Sequence, residues 1–339
     1  MNNKILVTGG AGYIGSHTVV ELIDNGYLPI IVDDFRNSNP LVLDKLNEIV
    51  GQTIPFYNID CTDKKKMDKV FAEHPDLMGV IHFAAYKAVG ESVEKPLMYY
   101  QNNLGSLMVV LELMEAYKIS NLVFSSSCTV YGEPKVVEVS EQTPIQEATS
   151  PYGDTKIVSE KIITNTVNAS AQLKATLLRY FNPIGAHPSA KIGELPNGVP
   201  NNLLPYLTQT VNGIREVLTV FGGDYNTKDG TCIRDYIHVV DLAKAHVKAL
   251  NWLDNQKLPV VESFNIGTEK GNTIMDVIKT FEKVNNLKVN YKIGERREGD
   301  VEQIYANTQK AKEVLNWSCE YSLDDALKHQ WAWEKTLKK

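Results

Sequence analysis

The chain has 339 residues, 43% of them hydrophobic, and a mean hydropathy of −0.22, the profile of a water-compatible chain too long for one small domain. Its 35 basic and 41 acidic residues leave a net charge of −6, which offers no electrostatic footprint for nucleic acid or an anionic membrane and points to small-molecule chemistry. No run approaches the roughly 18 apolar residues of a spanning helix, and Lys4 leads into a strand-like run without a signal-peptide pattern, so a cytoplasmic protein is expected.

The first element predicted is a strand over 5–8 that runs directly into Gly9-Gly10-Ala11-Gly12-Tyr13-Ile14-Gly15 and then into a helical stretch over 17–25. Gly9, Gly12 and Gly15 suit a turn whose backbone N–H groups must approach a pyrophosphate at the positive end of a helix, where a Cβ would intrude. The second strand, over 29–32, ends in Asp33-Asp34, eighteen residues after Gly15. A carboxylate at that place can accept hydrogen bonds from both adenosine ribose hydroxyls and repels a 2′-phosphate, which selects NAD over NADP. Asp33 could instead merely cap the following turn, and Arg36 is the one neighbour that would favour a phosphate.

Further strands are predicted over 79–82, 121–124 and 175–178, alternating with helical stretches in the rhythm of βαβ units. They do not alternate polar with apolar residues, as expected of a parallel sheet covered on both faces. The fold class is therefore α/β, a Rossmann-type doubly wound parallel sheet with a smaller C-terminal α/β substrate lobe. The division expected is an NAD-binding domain over 1–181, with a return of the chain around 236–253, and a substrate domain over 182–339.

The strand over 121–124 leads into Ser125-Ser126-Ser127-Cys128-Thr129, hydroxyls at the carboxyl end of a parallel strand, where such folds bind ligands. Next, Ser150-Pro151 reads as a capped helix start, which puts Tyr152 and Lys156 on one face of the first turns. Tyr131 and Lys135 have the same spacing, but Gly132 and Pro134 lie between them and no helix can run through. A phenol beside an ammonium loses its proton more easily, so Tyr152 is the candidate base, Lys156 its electrostatic partner and Ser127 its hydroxyl neighbour.

Beyond Asn182, eight prolines and glycines crowd the segment 183–205, a loop-rich binding surface. Helical period returns over 241–253 and after the capping pair Asn272-Thr273. Cys61, Cys128, Cys232 and Cys319 form no Cys-x-x-Cys pair and read as free thiols, and the seven histidines show no metal-ligand spacing, so no metal is expected.

Taken together, the strings 7–17, Lys87-Ala88-Val89-Gly90-Glu91-Ser92, Leu178-Arg179-Tyr180-Phe181-Asn182-Pro183, Arg234-Asp235-Tyr236-Ile237-His238-Val239 and Arg296-Arg297-Glu298-Gly299-Asp300 resemble the extended short-chain dehydrogenase/reductase family, and within it the UDP-hexose 4-epimerases. The resemblance implies tightly bound NAD and interconversion of UDP-glucose and UDP-galactose by oxidation at C4, turning of a 4-keto intermediate and re-reduction. It implies that Tyr13, Ile14, Asp34, Asn37, Ser38, Asp60, Cys61, Phe83, Ala84, Ala85, Lys87, Asn102 and Phe181 line the cofactor together with Gly9, Gly12, Gly15, Asp33, Ser127, Tyr152 and Lys156. It likewise implies that Arg234 and Arg297 clamp the UDP pyrophosphate, that Asp300 holds the ribose, that Phe221 lies near the uracil, and that Asn182, Asn202, Leu203, Ser127 and Tyr152 line the substrate.

Ile304, four residues after Asp300, falls on the position set against the hexose; intermediate in bulk, it favours UDP-glucose and UDP-galactose over 2-acetamido sugars, with a dual-specificity epimerase as the alternative. A homodimer through first-lobe helices is implied as well. Two departures from the family pattern, Ala85-Tyr86 and a glycine one place early at Gly105, bear on the fine shape of the nicotinamide pocket. A 4,6-dehydratase would need a carboxylic acid and a carboxylate where this chain has Cys128-Thr129, and a non-catalytic NAD sensor would need no Tyr152–Lys156 pair.

Overall fold

The computed structural model describes residues 3–257, 259–297 and 300–337, so Glu298 and Gly299 of the Arg296–Asp300 string lie outside the described residues. The first half of the chain alternates strand and helix: β1 (Lys4–Thr8), α1 (Tyr13–Asp24), β2 (Leu28–Asp33), α2 (Leu41–Val50), β3 (Phe56–Asn58), α3 (Lys64–Glu73), β4 (Leu77–His82), α4 (Val89–Glu94), α5 (Pro96–Ala116), β5 (Asn121–Ser127), β6 (Glu138–Val139), α6 (Pro151–Ala169) and β7 (Lys174–Tyr180). The second half adds β8 (Asn182–Ile184), α7 (Leu203–Val211), β9 (Leu218–Phe221), β10 (Ile233–His238), α8 (Val239–Asp254), β11 (Val260–Ile266), β12 (Gly271–Thr273), α9 (Ile274–Asn285), β13 (Tyr291–Gly294), β14 (Gln303–Ala306), α10 (Gln309–Leu315) and α11 (Leu323–Thr336).

Seven strands form one parallel sheet in the order β11-β7-β5-β4-β1-β2-β3. Along β1, Ile5 and Val7 enter one core with α1 and α8, while Leu6 enters a second core with α3 and α5 on the other face. Both faces are thus covered, which is why the strands carry unbroken apolar runs. The chain leaves β1 toward β2 and β3, then returns to pair β4 on the other side of β1. Connections diverge there, and the carboxyl ends of β1 and β4 flank a crevice of the kind such sheets use for ligands.

The sheet's outermost strand, β11, comes from beyond the expected return around 236–253, because Val260–Ile266 pairs in parallel register with β7. The serine run, expected to follow the strand, continues it: β5 extends through Ser127, paired with Tyr180 of β7. The short β3 carried too little apolar signal to be read from sequence.

The remaining strands build the second lobe. β10 pairs β12, β14 and β8, and β14 recruits β6 from the first half of the chain. β9 and β13 form a separate pair, and α7, α9 and α11 close a third core around Leu207, Ile278, Phe281 and Leu327. The Thr273 hydroxyl and Asp276 carboxylate make a reciprocal capping box at the start of α9, as the sequence anticipates. A small fourth core, with Val130, Tyr131, Phe181 and Ile304, lies where the lobes meet. Among the described residues no helix is long and apolar enough to cross a membrane.

Candidate active site

A cavity of about 830 Å³ opens along the carboxyl ends of β1, β2 and β4 and reaches α6. Its floor is the turn between β1 and α1. Gly9 has φ +70°, and a Cβ on it would lie 2.9 Å from the Ala84 backbone nitrogen. A Cβ on Gly15 would fall 2.3 Å from the Gly9 carbonyl oxygen. These contacts let the turn pack against β4 and α1 start directly beneath it. Gly12 caps α1 without a side-chain hydrogen bond, so the first amides of the helix stand unpartnered by side chains at the cavity wall with Tyr13 and Ile14.

Asp33 ends β2 in the same wall. Its carboxylate accepts hydrogen bonds from the Ala11 amide (3.1 Å), the Phe35 amide (2.9 Å) and the Ser38 hydroxyl (2.8 Å), so it also braces the glycine turn and caps the bend that follows. Burial pushes its pKa up, against those three bonds. Arg36 is held by carboxylates: its Nη2 lies 2.6 Å from Asp34 and 2.5 Å from Asp60, and its Nη1 donates to the Tyr86 hydroxyl and to Asn102. The Arg36 guanidinium is paired with these carboxylates at the cavity mouth, so a 2′-phosphate would have to displace them. Asn37, Ser38, Cys61, Phe83, Ala84, Ala85 and Lys87 line the same cavity.

At the far end stand Tyr152 and Lys156, presented by α6. Ser150 caps this helix, its hydroxyl accepting from the Gly153 amide at 3.2 Å, and Pro151 fills the first turn. Lys156 is buried; its Nζ donates to the Ser125 carbonyl at 2.5 Å and sits 5.8 Å from the Tyr152 ring centroid. Burial lowers the lysine to about 8, with the Glu160 carboxylate working in the opposite direction. Burial also dominates the phenol, which is pushed up to about 12 while the Ser127 hydroxyl holds it down. The Tyr131–Lys135 spacing yields no such pair, since a short 3₁₀ turn over Cys128–Tyr131 ends at Gly132.

Two of the expected residues are not in the wall of this cavity. Phe181 does not line the cavity; it packs in the junction core beside Ile304, while Tyr180, one residue earlier, lines the cavity and hydrogen-bonds the Ser125 hydroxyl. Tyr180 is the last residue of β7 and Phe181 lies in the one-residue break before β8, where the chain leaves the first sheet and the Phe181 side chain turns into the junction core. Ser127 likewise stands behind the cavity surface, facing Tyr152 and accepting from the Thr129 amide at 3.2 Å. Tyr180, Ser125, Tyr86 and Glu194 are cavity residues that sequence reasoning missed, and a period-2 count along β5 and β7 would have found Ser125 and Tyr180.

The residues expected for the nucleotide form a second cluster outside that cavity. Asp300 accepts from Arg297 (2.8 and 3.2 Å) and lies 3.6 Å from Arg234; Arg297 in turn sits 5.6 Å over the exposed Phe221 ring. Ile304 pairs with Arg234 in the β10–β14 register and is buried. Asn202, at the start of α7, lines the cavity and donates to Glu194 at 2.6 Å, whereas Leu203 packs on the third core and the half-buried Asn182 opens β8. Cys128 follows Ser127 and lies within the field of Arg234.

Comparison with known proteins bears on this site. A family model described as GDP-mannose 4,6 dehydratase matches residues 6–330. The chain is 48% identical to the UDP-glucose 4-epimerase of Bacillus subtilis (strain 168), over 98% of this chain and 97% of the relative, and 47% identical to UDP-glucose 4-epimerase 2 of Arabidopsis thaliana, over 98% and 95%. The crystal structure of the Bifidobacterium longum UDP-glucose 4-epimerase in complex with NAD+ and UDP is 43% identical, covers 98% of both chains and superposes with a TM-score of 0.95. The chain belongs to the UDP-glucose 4-epimerase family. Within that family frame, the dehydratase description of the model finds no support at the residues that dehydration would need: Cys128 and Thr129 carry no carboxyl group, and burial pushes the Cys128 thiol up to about 12. Asp235 and His238, inside the 234–239 string, have structural work. Asp235 accepts from Thr268 and the Ala306 amide, and His238 caps α8.

Proposed function

We propose that this chain is an NAD-dependent isomerase that interconverts UDP-glucose and UDP-galactose. The observation that carries the reading is the coincidence of near-full-length identity to UDP-glucose 4-epimerases with a Tyr152–Lys156 pair at the end of a dinucleotide-sized cavity. The cavity suits NAD on its own chemistry: unpartnered amides at a helix start, a turn too tight for a Cβ at Gly15, and a buried carboxylate at Asp33. When bound, NAD supplies the hydride acceptor and donor for C4 of the sugar.

The chain's own residues do the rest. Gly9, Gly12, Tyr13 and Ile14 bind the pyrophosphate, Asp33 takes the adenosine ribose, and Lys87 and Asn102 stand along the same wall. Tyr152 accepts the proton of the sugar 4-hydroxyl at its phenolic oxygen and returns it, Lys156 lowers the cost of the phenolate, and Ser127 orients the hydroxyl. Arg234, Arg297 and Asp300 anchor the UDP, which leaves the hexose free to turn as a 4-keto intermediate. On this reading residues 1–181, with the return around 236–253, hold the cofactor and residues 182–339 hold the UDP-sugar. Ile304, stiff and intermediate in bulk, favours the plain hexoses over 2-acetamido sugars.

A cytoplasmic homodimer completes the proposal; exposed Val93, Leu97 and Met108 on α4 and α5 support self-association there. The deciding experiment incubates the purified holoenzyme with UDP-galactose and no added reductant, and follows the sugar by chromatography. UDP-glucose is the expected product. Bound cofactor with no isomerisation would mark a sensor, and a 6-deoxy-4-keto product would mark a dehydratase.

A further inference from the structure

On α6, Tyr152 and Lys156 are followed at the same spacing by Glu160, so the stripe facing the sheet has a third member. Glu160 and its partners are almost wholly buried: 4% exposed for Glu160, 6% for Arg179 and none for Ser126. Arg179 of β7 grips both carboxylate oxygens, Nε to Oε1 at 2.9 Å and Nη2 to Oε2 at 2.6 Å. The Ser126 hydroxyl of β5 donates to Oε1 at 2.5 Å. Arg179 also donates to the Tyr131 hydroxyl (3.2 Å), which donates onward to Asn265 of β11 (2.6 Å).

A buried ion pair is an expensive way to fill a core, since apolar residues of the same volume usually serve stability as well or better. Its location supplies the reason. Ser126 lies between Ser125, whose carbonyl takes the Lys156 ammonium, and Ser127, which faces Tyr152. Alternation along β5 turns the Ser126 side chain away from those of its neighbours and toward Glu160. We propose that Glu160, clamped by Arg179, is a positioning residue of the reaction: it pins the end of β5 through Ser126 and sustains the charge of Lys156 beside Tyr152. The proposal rests on the assignment of Tyr152 and Lys156 made above.

The groups facing Lys156 leave this task to Glu160. From α6 come Tyr152 and Glu160 itself; from β5 the Phe124 ring, 5.0 Å away, and the Ser125 carbonyl; from β4 His82, which burial keeps neutral. Asn103 of α5 and Ser159 of α6 line the same small cavity of about 10 Å³ beside the ammonium and carry no charge. Tyr180 of β7 hydrogen-bonds the Ser125 hydroxyl, and the carbonyl of that same residue takes the ammonium.

The test compares wild type, Glu160→Gln and Ser126→Ala as NAD-loaded holoenzymes, reading kcat and KM for UDP-galactose across pH together with the melting temperature. Glu160→Gln is expected to lower kcat by about tenfold or more with KM within about twofold, and to move the alkaline limb of kcat to lower pH, because the ammonium then loses its proton more readily. Ser126→Ala leaves the ion pair in place and is expected to lower kcat severalfold at unchanged KM, with a lower melting temperature because a buried bond to the carboxylate is lost. A Glu160→Gln enzyme that melts earlier but keeps the wild-type kcat and pH limb overturns the proposal, because the pair would then be structural only. If that variant does not fold, Ser126→Ala decides alone, and wild-type kcat overturns the pinning of β5. A wild-type enzyme that converts no UDP-galactose would instead sink the assignment on which the proposal rests.

Discussion

At the scale of single residues the chemistry turns on one phenol and what surrounds it. Tyr152→Phe removes the proton acceptor and keeps the ring, so turnover is expected to fall by several powers of ten while the NAD content of the purified protein stays unchanged. Near wild-type turnover would remove Tyr152 from the role. Lys156, lowered by burial to about 8, carries its charge below that pH and loses it above. Activity that needs the ammonium therefore declines as pH rises past about 8. In Lys156→Ala the phenol loses its neighbouring cation, its pKa rises further from about 12, and the residual rate profile is expected to shift to higher pH; an unmoved profile would show that another group tunes the tyrosine.

The same scale sets cofactor choice and sugar choice. Because Asp34 and Asp60 neutralise Arg36, stripped protein should regain activity with NAD far better than with NADP, and equal rescue would show that Arg36 turns outward to take the 2′-phosphate. Ile304 is 4% exposed and packs with Val130, Tyr131 and Phe181. Ile304→Cys should raise kcat/KM for UDP-N-acetylgalactosamine relative to UDP-galactose, within the ~1–3 kcal/mol that hydrophobic pockets discriminate per methylene-sized difference. Comparable values for both sugars in the unmodified enzyme would remove the preference.

Among the elements, the two glycines Gly15 and Gly105 make opposite demands. A methyl group at Gly15 would meet the Gly9 carbonyl at 2.3 Å and the Gly10 Cα at 2.8 Å, both backbone atoms that cannot step aside. Gly15→Ala is expected to destabilise the protein by about 1–3 kcal/mol and to strip its NAD, read by thermal melting and by cofactor absorbance. In the middle of α5, a Cβ on Gly105 would meet only the Thr62 methyl at an ordinary 3.7 Å. Gly105→Ala should therefore stabilise by about 0.5–1 kcal/mol, since helix interiors favour alanine. A Gly15→Ala enzyme with wild-type melting and full NAD would show that the turn has slack.

For the whole molecule, acid stability follows from its buried histidines. Burial lowers His17, His82 and His238 to about 3 and His246 to about 4. As pH falls below the unfolded value near 6.5, the unfolded chain takes up protons that the native state refuses, so stability drops by up to about 1.4 kcal/mol per pH unit for each. Glu21 and Asp241, raised by burial to about 7 and about 6, oppose this by staying protonated in the native state, as do the raised Asp33 and Asp235, but all seven histidines are lowered and outnumber them. Urea midpoints are expected to fall steadily from pH 6.5 to 4, and a flat profile would show that the histidines take charge without unfolding. In light scattering the proposed dimer should give twice the 37.9 kDa chain mass.

Much of this was legible without coordinates because its signals are local. The glycine turn, Asp33 at a strand end and the Tyr152–Lys156 spacing each depend on residues within one βα unit, where dihedral limits and helix periodicity act over a few positions. Tertiary structure decided what depends on pairing between distant segments. Val260–Ile266 joined the first sheet because β7 offered an open edge, and Glu138–Val139 went to the second lobe because β14 did. The end of β7 at Tyr180 left that side chain in the cavity wall, and the break between β7 and β8 sent Phe181 to the junction core. The Arg179–Glu160–Ser126 lock spans three elements, so no spacing in the chain announces it. Burial, which set the directions of the Tyr152 and Lys156 shifts, belongs to the packed molecule alone, since desolvation of a charge requires all the neighbours that exclude water.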